Sequence, residues 1–94
     1  MRARYTSTAL SELFEILTYL SDRNPSAADA VARRIDKVIS TVSSFPHIGQ
    51  EIDEADVRML SLVRYPYLIF YRVKADEIEV LHIRHGAQQR PDFD

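Results

Sequence analysis

The chain predicts an α+β fold in the order β-α-α-β-β-β, a helical hairpin packed on one face of a small antiparallel sheet. Three observations carry this prediction. Apolar residues recur at three- and four-residue steps through the first half. Three runs rich in β-branched and aromatic residues fill the second, and the gaps between those runs are short enough for hairpin turns. The 94 residues suffice for one domain, residues 1–94, and are too few for two. At 46% hydrophobic and 28% charged, with two glycines and four prolines, the composition is that of a compact chain around one modest core.

Each element has its own signal. Residues 2–5 (Arg-Ala-Arg-Tyr) alternate polar and apolar side chains, and Thr6, Ser7 and Thr8 offer three successive helix caps. Leu10, Leu13, Phe14, Leu17 and Leu20 then define the apolar stripe of an amphipathic helix. Asn24-Pro25 breaks the chain and restarts it, Asn as cap and Pro at the first helical position. Ala28, Val31, Ile35, Val38, Val42 and Phe45 form a seam that sets the second helix antiparallel to the first, and Pro46 ends it. Residues 46–56 form an acidic loop. Strands follow at 57–63, 67–73 and 77–85, joined by turns at 64–66 and 74–76 as an antiparallel meander. The polar tail from Gly86 to Asp94 is expected to fray in part.

Several function classes lack their residues. There is no cysteine, hence no disulfide framework, thiolate zinc site or cysteine nucleophile. No apolar run approaches the ~18 residues that span a membrane, and the start of the chain has no apolar signal-peptide core, so a cytoplasmic location is expected. The net charge of −2 argues against sequence-specific binding of nucleic acid by this chain alone. Ten of the twelve basic residues are arginine, which suits bidentate contacts to carboxylates.

His82 and His85 are three apart on a strand, so alternation points them to opposite faces and away from a shared metal ion. The acidic loop lacks the ligand spacing and central Gly of a calcium loop, and its carboxylates are expected to pair with arginines such as Arg58. The serines have no glycine-flanked elbow, and no phosphate loop is present. No catalytic, metal or cofactor site is expected. The strand half does concentrate charge: six basic residues against three acids between Arg58 and Arg90, with Tyr65, Tyr67 and Tyr71 among them. By strict alternation Arg84 and His82 share a face with Ile78 and Val80, and His85 shares one with Leu81 and Ile83. Arginine and tyrosine in such a cluster are typical anchors of a macromolecular contact.

The hairpin ending in Phe45-Pro46, Gly49 three residues on, Arg58 opening a strand, the run Tyr67-Leu68-Ile69-Phe70-Tyr71, and Ile83-Arg84-His85-Gly86 follow one another in a distinctive order. In these features, over nearly its whole length, the chain resembles the RelE/ParE superfamily of type II toxins. The resemblance implies one of two activities. The RelE-like branch cuts messenger RNA on the ribosome with lysine, arginine and a C-terminal tyrosine; the ParE-like branch acts on DNA gyrase without nuclease chemistry. Anchored on Tyr67–Tyr71 and Gly86, the nuclease branch's basic positions fall on Met59, Ser61, Leu68 and Gln88, and its tyrosine position on Asp94. Met, Ser and Leu carry no positive charge, and no tyrosine follows Tyr71.

The resemblance therefore implies a ParE-like gyrase inhibitor that is not an enzyme, with Arg58, Arg64, Tyr67, Arg84, His85 and Arg90 as candidate target-binding residues. It implies no cofactor. It also implies a ParD-like antitoxin whose C-terminal segment folds on binding, with a helix laid in a groove. A RelE-like mRNA endonuclease with rearranged chemistry, using His82, Arg84 or His85, is the alternative. An attenuated toxin kept as a complex-forming partner is a third reading. Here the tail reads Ala87-Gln88-Gln89-Arg90-Pro91 where ParE-like tails often carry Arg-Asp, leaving its engagement with a target open.

Overall fold

The structure is a computed structural model that describes residues 1–93. Helix α1 (Ser7–Arg23) begins at Thr6, which stays extended while its hydroxyl accepts the Ala9 N–H at 3.0 Å. Asn24 serves both helices. Its N–H donates to the Leu20 carbonyl at the end of α1, and its side-chain oxygen accepts the Ala27 N–H at 3.2 Å to open α2 (Pro25–Ser44). Pro25 takes the first helical turn, where its missing N–H costs nothing.

Five strands follow from β1 (Arg2–Tyr5) through β2 (Gln50–Glu51), β3 (Val57–Ser61), β4 (Tyr67–Val73) and β5 (Glu77–His85). The sheet order is β1-β5-β4-β3-β2. Strands β3, β4 and β5 form the expected antiparallel meander, but the sheet as a whole is mixed. Residues 2–5 pair parallel with the first half of β5, from Arg2 opposite Glu77 to Tyr5 opposite Val80. Strand β2 arises inside the expected loop and pairs with Met59 and Arg58. Strand β3 stops at Ser61 rather than Val63 because the chain turns early, with Arg64 at a positive φ of 82°.

The core lies between the helices and one sheet face. Ala9, Val31, Ile35 and Ile39 meet Leu62, Tyr67, Ile69, Val80 and Ile83, and Val42 continues this layer onto Tyr71 and Ile78. Three packing expectations need correction. On α1 the inward stripe is Ala9, Leu13, Ile16, Leu17 and Leu20, whereas Leu10 and Phe14 face outward, 52% and 73% exposed. Phe45 does not close the seam of α2 but lies exposed at its end. The tail does not fray among the described residues: Pro91 is buried, and the Phe93 ring packs 5.6 Å from that of Phe70. Asp94 lies outside the described residues.

A fourth correction bears on the site. Phe70 pairs with His82, yet Tyr71 pairs with Val80, so Leu81 is an extra residue in β5. This bulge inverts the alternation beyond it. His82 and Arg84 therefore lie on the open face, opposite the core-facing Ile78 and Val80, while Ile83 and His85 face the helices. His82 and His85 point to opposite sides, as their spacing requires.

On the open face at the β1–β5 edge, Glu79 lies among Arg4, Arg72 and Lys74, with Arg72 at 3.9 Å and Lys74 at 3.5 Å. Burial works against its ionisation, but hydrogen bonds from Arg4 and Lys74 and their charges outweigh it and hold the carboxyl below the usual glutamate range. A depressed carboxyl contributes stability above its unfolded pKa and loses it as pH falls through the native one. Glu79→Gln should therefore lower Tm at neutral pH, and the difference from wild type should close below about pH 4. Thermal unfolding across that range checks this.

Candidate functional site on the sheet and its C-terminal strap

The six candidate residues do not form one patch. Arg58 sits at one end of the sheet, and its guanidinium is engaged: one nitrogen donates to the carbonyls of His47 (3.1 Å) and Gly49 (2.8 Å), the other to Glu51 (3.1 Å). It ties the loop after α2 to β3. Beside it the Tyr71 hydroxyl donates to the Pro46 carbonyl at 2.8 Å and accepts the Gly49 N–H at 2.9 Å. Gly49 is required by space rather than by conformation, because a Cβ there would stand 2.6 Å from the Tyr71 hydroxyl.

At the other end lie Arg64, Tyr67 and His85. The Tyr67 ring is buried and meets the His85 ring edge-on at 5.6 Å, and burial raises its phenol above the ordinary value. It supports His85 from beneath. The Gly86 N–H donates to the Pro66 carbonyl at 2.7 Å, which fixes the start of the tail beside this turn.

Arg84 and Arg90 meet on the open face. The tail crosses that face as a strap, enclosing a cavity of about 120 Å³ lined by Met59, Leu68, Phe70, Arg84, Gln88 and Arg90, among others. The strap is pinned by the His85 N–H to Gln88 (2.8 Å), by His82 Nε2 to the Asp92 carbonyl (2.9 Å), and by Phe93 against Phe70 and His82. Met59, Leu68 and Gln88, three positions matched to the nuclease branch's cations, converge on this cavity. Ser61 is paired with Leu68 across β3 and β4.

Sequence reasoning missed Glu12. Strand β1 stops opposite Val80, leaving the far half of β5 with an open edge, and α1 crosses there. The Glu12 carboxylate accepts the Ile83 N–H at 3.0 Å and the His82 imidazole at 3.1 Å, and stands 3.6 Å from the Arg84 guanidinium. Nothing in the sequence places residue 12 beside residues 82–84, some 70 positions away. Among the described residues no cluster of His, Cys, Asp or Glu could hold a metal ion, and no helix is long and apolar enough to cross a membrane.

Two helices on one face of a mixed five-stranded sheet, with a strapped open face, define a member of the RelE/ParE superfamily of toxins. A solved chain from a chromosomal ParDE toxin–antitoxin system of P. aeruginosa superposes with a TM-score of 0.78 at 25% identity, over 90% of this chain and 95% of that one. Y4kP of Sinorhizobium fredii, a provisionally named toxin, is 36% identical over 96% of this chain and 93% of its own length. Toxin RelE2 of Caulobacter vibrioides is 31% identical over 89% and 93%. The family model for the ParE toxin of the type II toxin–antitoxin system parDE matches residues 3–90, and the chain belongs to that family.

Proposed function

We propose that this single domain, residues 1–94, is a cytoplasmic toxin that inhibits DNA gyrase by binding it and is neutralised by a ParD-like antitoxin. The observation that carries this reading is the strapped face. Three of the positions that would hold the nuclease branch's cations gather there as Met59, Leu68 and Gln88, with Ser61 paired to Leu68 beside them, and none can offset charge building on a phosphate. The target-facing groups are Arg64, Arg84, His85 and Arg90, with Tyr67 as buried support and Arg58 holding the neighbouring loop.

The decisive experiment is gyrase supercoiling with antitoxin-free protein, beside a translation extract. Lost supercoiling with accumulated cleaved DNA and intact messenger RNA is the expected result. Intact supercoiling with codon-spaced RNA cuts would overturn it. That second reading, a RelE-like endonuclease, draws on RelE2 and on the Glu12–His82–Arg84 cluster, which sets a carboxylate, an imidazole and a guanidinium on one edge. Alanine at His82, Arg84 and His85 would then abolish cleavage while leaving the antitoxin bound.

The antitoxin reading draws on α1. Leu10 and Phe14, four residues apart, present an uncovered apolar strip, the kind of surface a partner helix occupies. Phe14→Ala should weaken antitoxin binding roughly ten- to hundredfold without lowering Tm, since an anchor at the centre of an interface carries about that much. Calorimetric titration checks it, and unchanged affinity would move the antitoxin off this face.

A further inference from the structure

A groove of about 560 Å³ runs between α2 and the β3–β4 turn, and among its lining residues are Arg33, Arg34, Lys37, Val63, Arg64 and Tyr65. It brings four cations together, and no acid lines it. Elsewhere most of the basic residues are matched: Arg4, Arg58, Arg72, Lys74 and Arg84 each have a carboxylate partner, whereas Arg2, Arg23 and Arg90 have none among the described residues. Among the described residues none of Arg33, Arg34, Lys37 and Arg64 has one, in a chain whose net charge is −2. Of the seven cations without a carboxylate partner among the described residues, four are thus collected in one place.

Two further observations point to a ligand there. The Arg34 Nε is buried with no hydrogen-bond partner. Arg64 is held at φ 82°, a left-handed conformation that a long side chain adopts at a cost and that glycine would adopt freely. An apolar cavity of about 220 Å³ continues the groove, sharing Arg34, Lys37 and Val63 and adding Val38, Ile48 and Leu60. Ile48 and Val63 are both more than half exposed.

This combination selects the ligand. A nucleic-acid backbone would satisfy the cations and leave Ile48 and Val63 against sugar and phosphate. A peptide with carboxylates beside spaced apolar side chains satisfies both halves, and guanidinium groups match carboxylates in bidentate geometry. We propose that the groove between α2 and the β3–β4 turn docks an acidic segment with apolar anchors, and that its occupant is an extended stretch of the antitoxin. This inference rests on the antitoxin reading above and adds a second contact remote in sequence from Leu10 and Phe14.

The test titrates the cognate antitoxin into the full chain and into two variants. The charge reversal Arg33→Glu with Lys37→Glu should weaken binding at least about a hundredfold at low salt, and should flatten the salt dependence that wild type shows. The neutral pair Arg33→Gln with Lys37→Gln, expected to weaken binding about tenfold, replaces it if the reversal does not fold. Arg64→Gly should weaken binding about fivefold while Tm stays the same or rises, a split that a merely structural role would not give.

Antitoxin binding that is tight to wild type, lost in Phe14→Ala and unchanged in the groove variants would overturn the groove and leave the antitoxin reading standing. No binding even to wild type would instead remove that reading. Short duplex DNA retained by wild type and released by the charge reversal, with antitoxin titration unchanged, would reassign the groove to nucleic acid.

Discussion

Tyr71→Phe is expected to cost about 3 kcal/mol, although it removes a single oxygen atom. The side chain is fully buried, and its hydroxyl is the only bridge among the described groups between the Pro46 carbonyl and the Gly49 N–H. Phenylalanine fills the same volume and leaves a buried donor and a half-buried acceptor without partners, each worth about 1–3 kcal/mol. Against a total stability of about 5–10 kcal/mol for a domain of this size, that is a large fraction, and Tm should fall by at least about 12 °C.

Gly49→Ala should cost a similar amount by another route, driving its Cβ into the Tyr71 hydroxyl at 2.6 Å and ring at 2.9 Å. Because both changes break one lock, the double variant should cost at least about 1 kcal/mol less than the sum. Full additivity in denaturant unfolding would show that the loop is held by something else. The lock also sets an alkaline limit. Burial raises the Tyr71 phenol, only partly offset by the Gly49 N–H and the Arg58 charge. A raised native pKa means stability that is complete below the unfolded value and is lost as pH climbs through the native one. Wild type should therefore weaken above about pH 10, and Tyr71→Phe should weaken less steeply there.

Local signals in the sequence were faithful to local structure. Thr6 and Asn24-Pro25 cap the helices because a cap depends on its own residue and the next three. The runs at 67–73 and 77–85 form strands at the bounds expected of them. What failed was set by distant partners. The parallel pairing of β1 is dictated by the free edge of β5, and β2 is two exposed residues with no pattern of their own. On α1 the apolar arc is wider than the sheet can cover, so the sequence displays it without saying that Leu13 and Ile16 go in while Leu10 and Phe14 stay out.

The candidate site suffered most from one inserted residue. An unmarked Leu81 bulge reverses the side on which His82 and Arg84 emerge, and no Gly or Pro announces it. Arg58 was legible as special, but its engagement with three groups of the 47–51 loop depends on how that loop returns. The cations on α2 drew no attention because a charged helix face ordinarily meets water. They gain meaning only when the β3–β4 turn brings Arg64 beside them.

Glu12→Ala should destabilise the chain by about 3 kcal/mol, and its consequences should be concentrated at one edge of the sheet. The carboxylate closes three accounts together: the Ile83 N–H, which β1 is too short to reach, the His82 ring, and the Arg84 guanidinium. Removing it leaves a strand-edge donor unpaired and strands a cation whose Nε is already buried without a partner. Glu12→Gln separates these effects. The amide can still accept the Ile83 N–H but cannot balance Arg84, so about half the loss should remain. Arg84→Met in the Glu12→Ala background should recover part of the stability, because an apolar side chain of similar length leaves no charge to strand. Amide exchange at Ile83 reads the edge directly: it should accelerate in Glu12→Ala more than in Glu12→Gln, and equal rates in both would assign Glu12 to charge balance alone. The strap should respond as well, since His82 holds the Asp92 carbonyl with one nitrogen and Glu12 with the other. A freed imidazole would loosen Phe93 from Phe70 and expose the Met59–Leu68 face. Glu12 thus joins the first helix to the C-terminal strap through one carboxylate, and its loss should register at both.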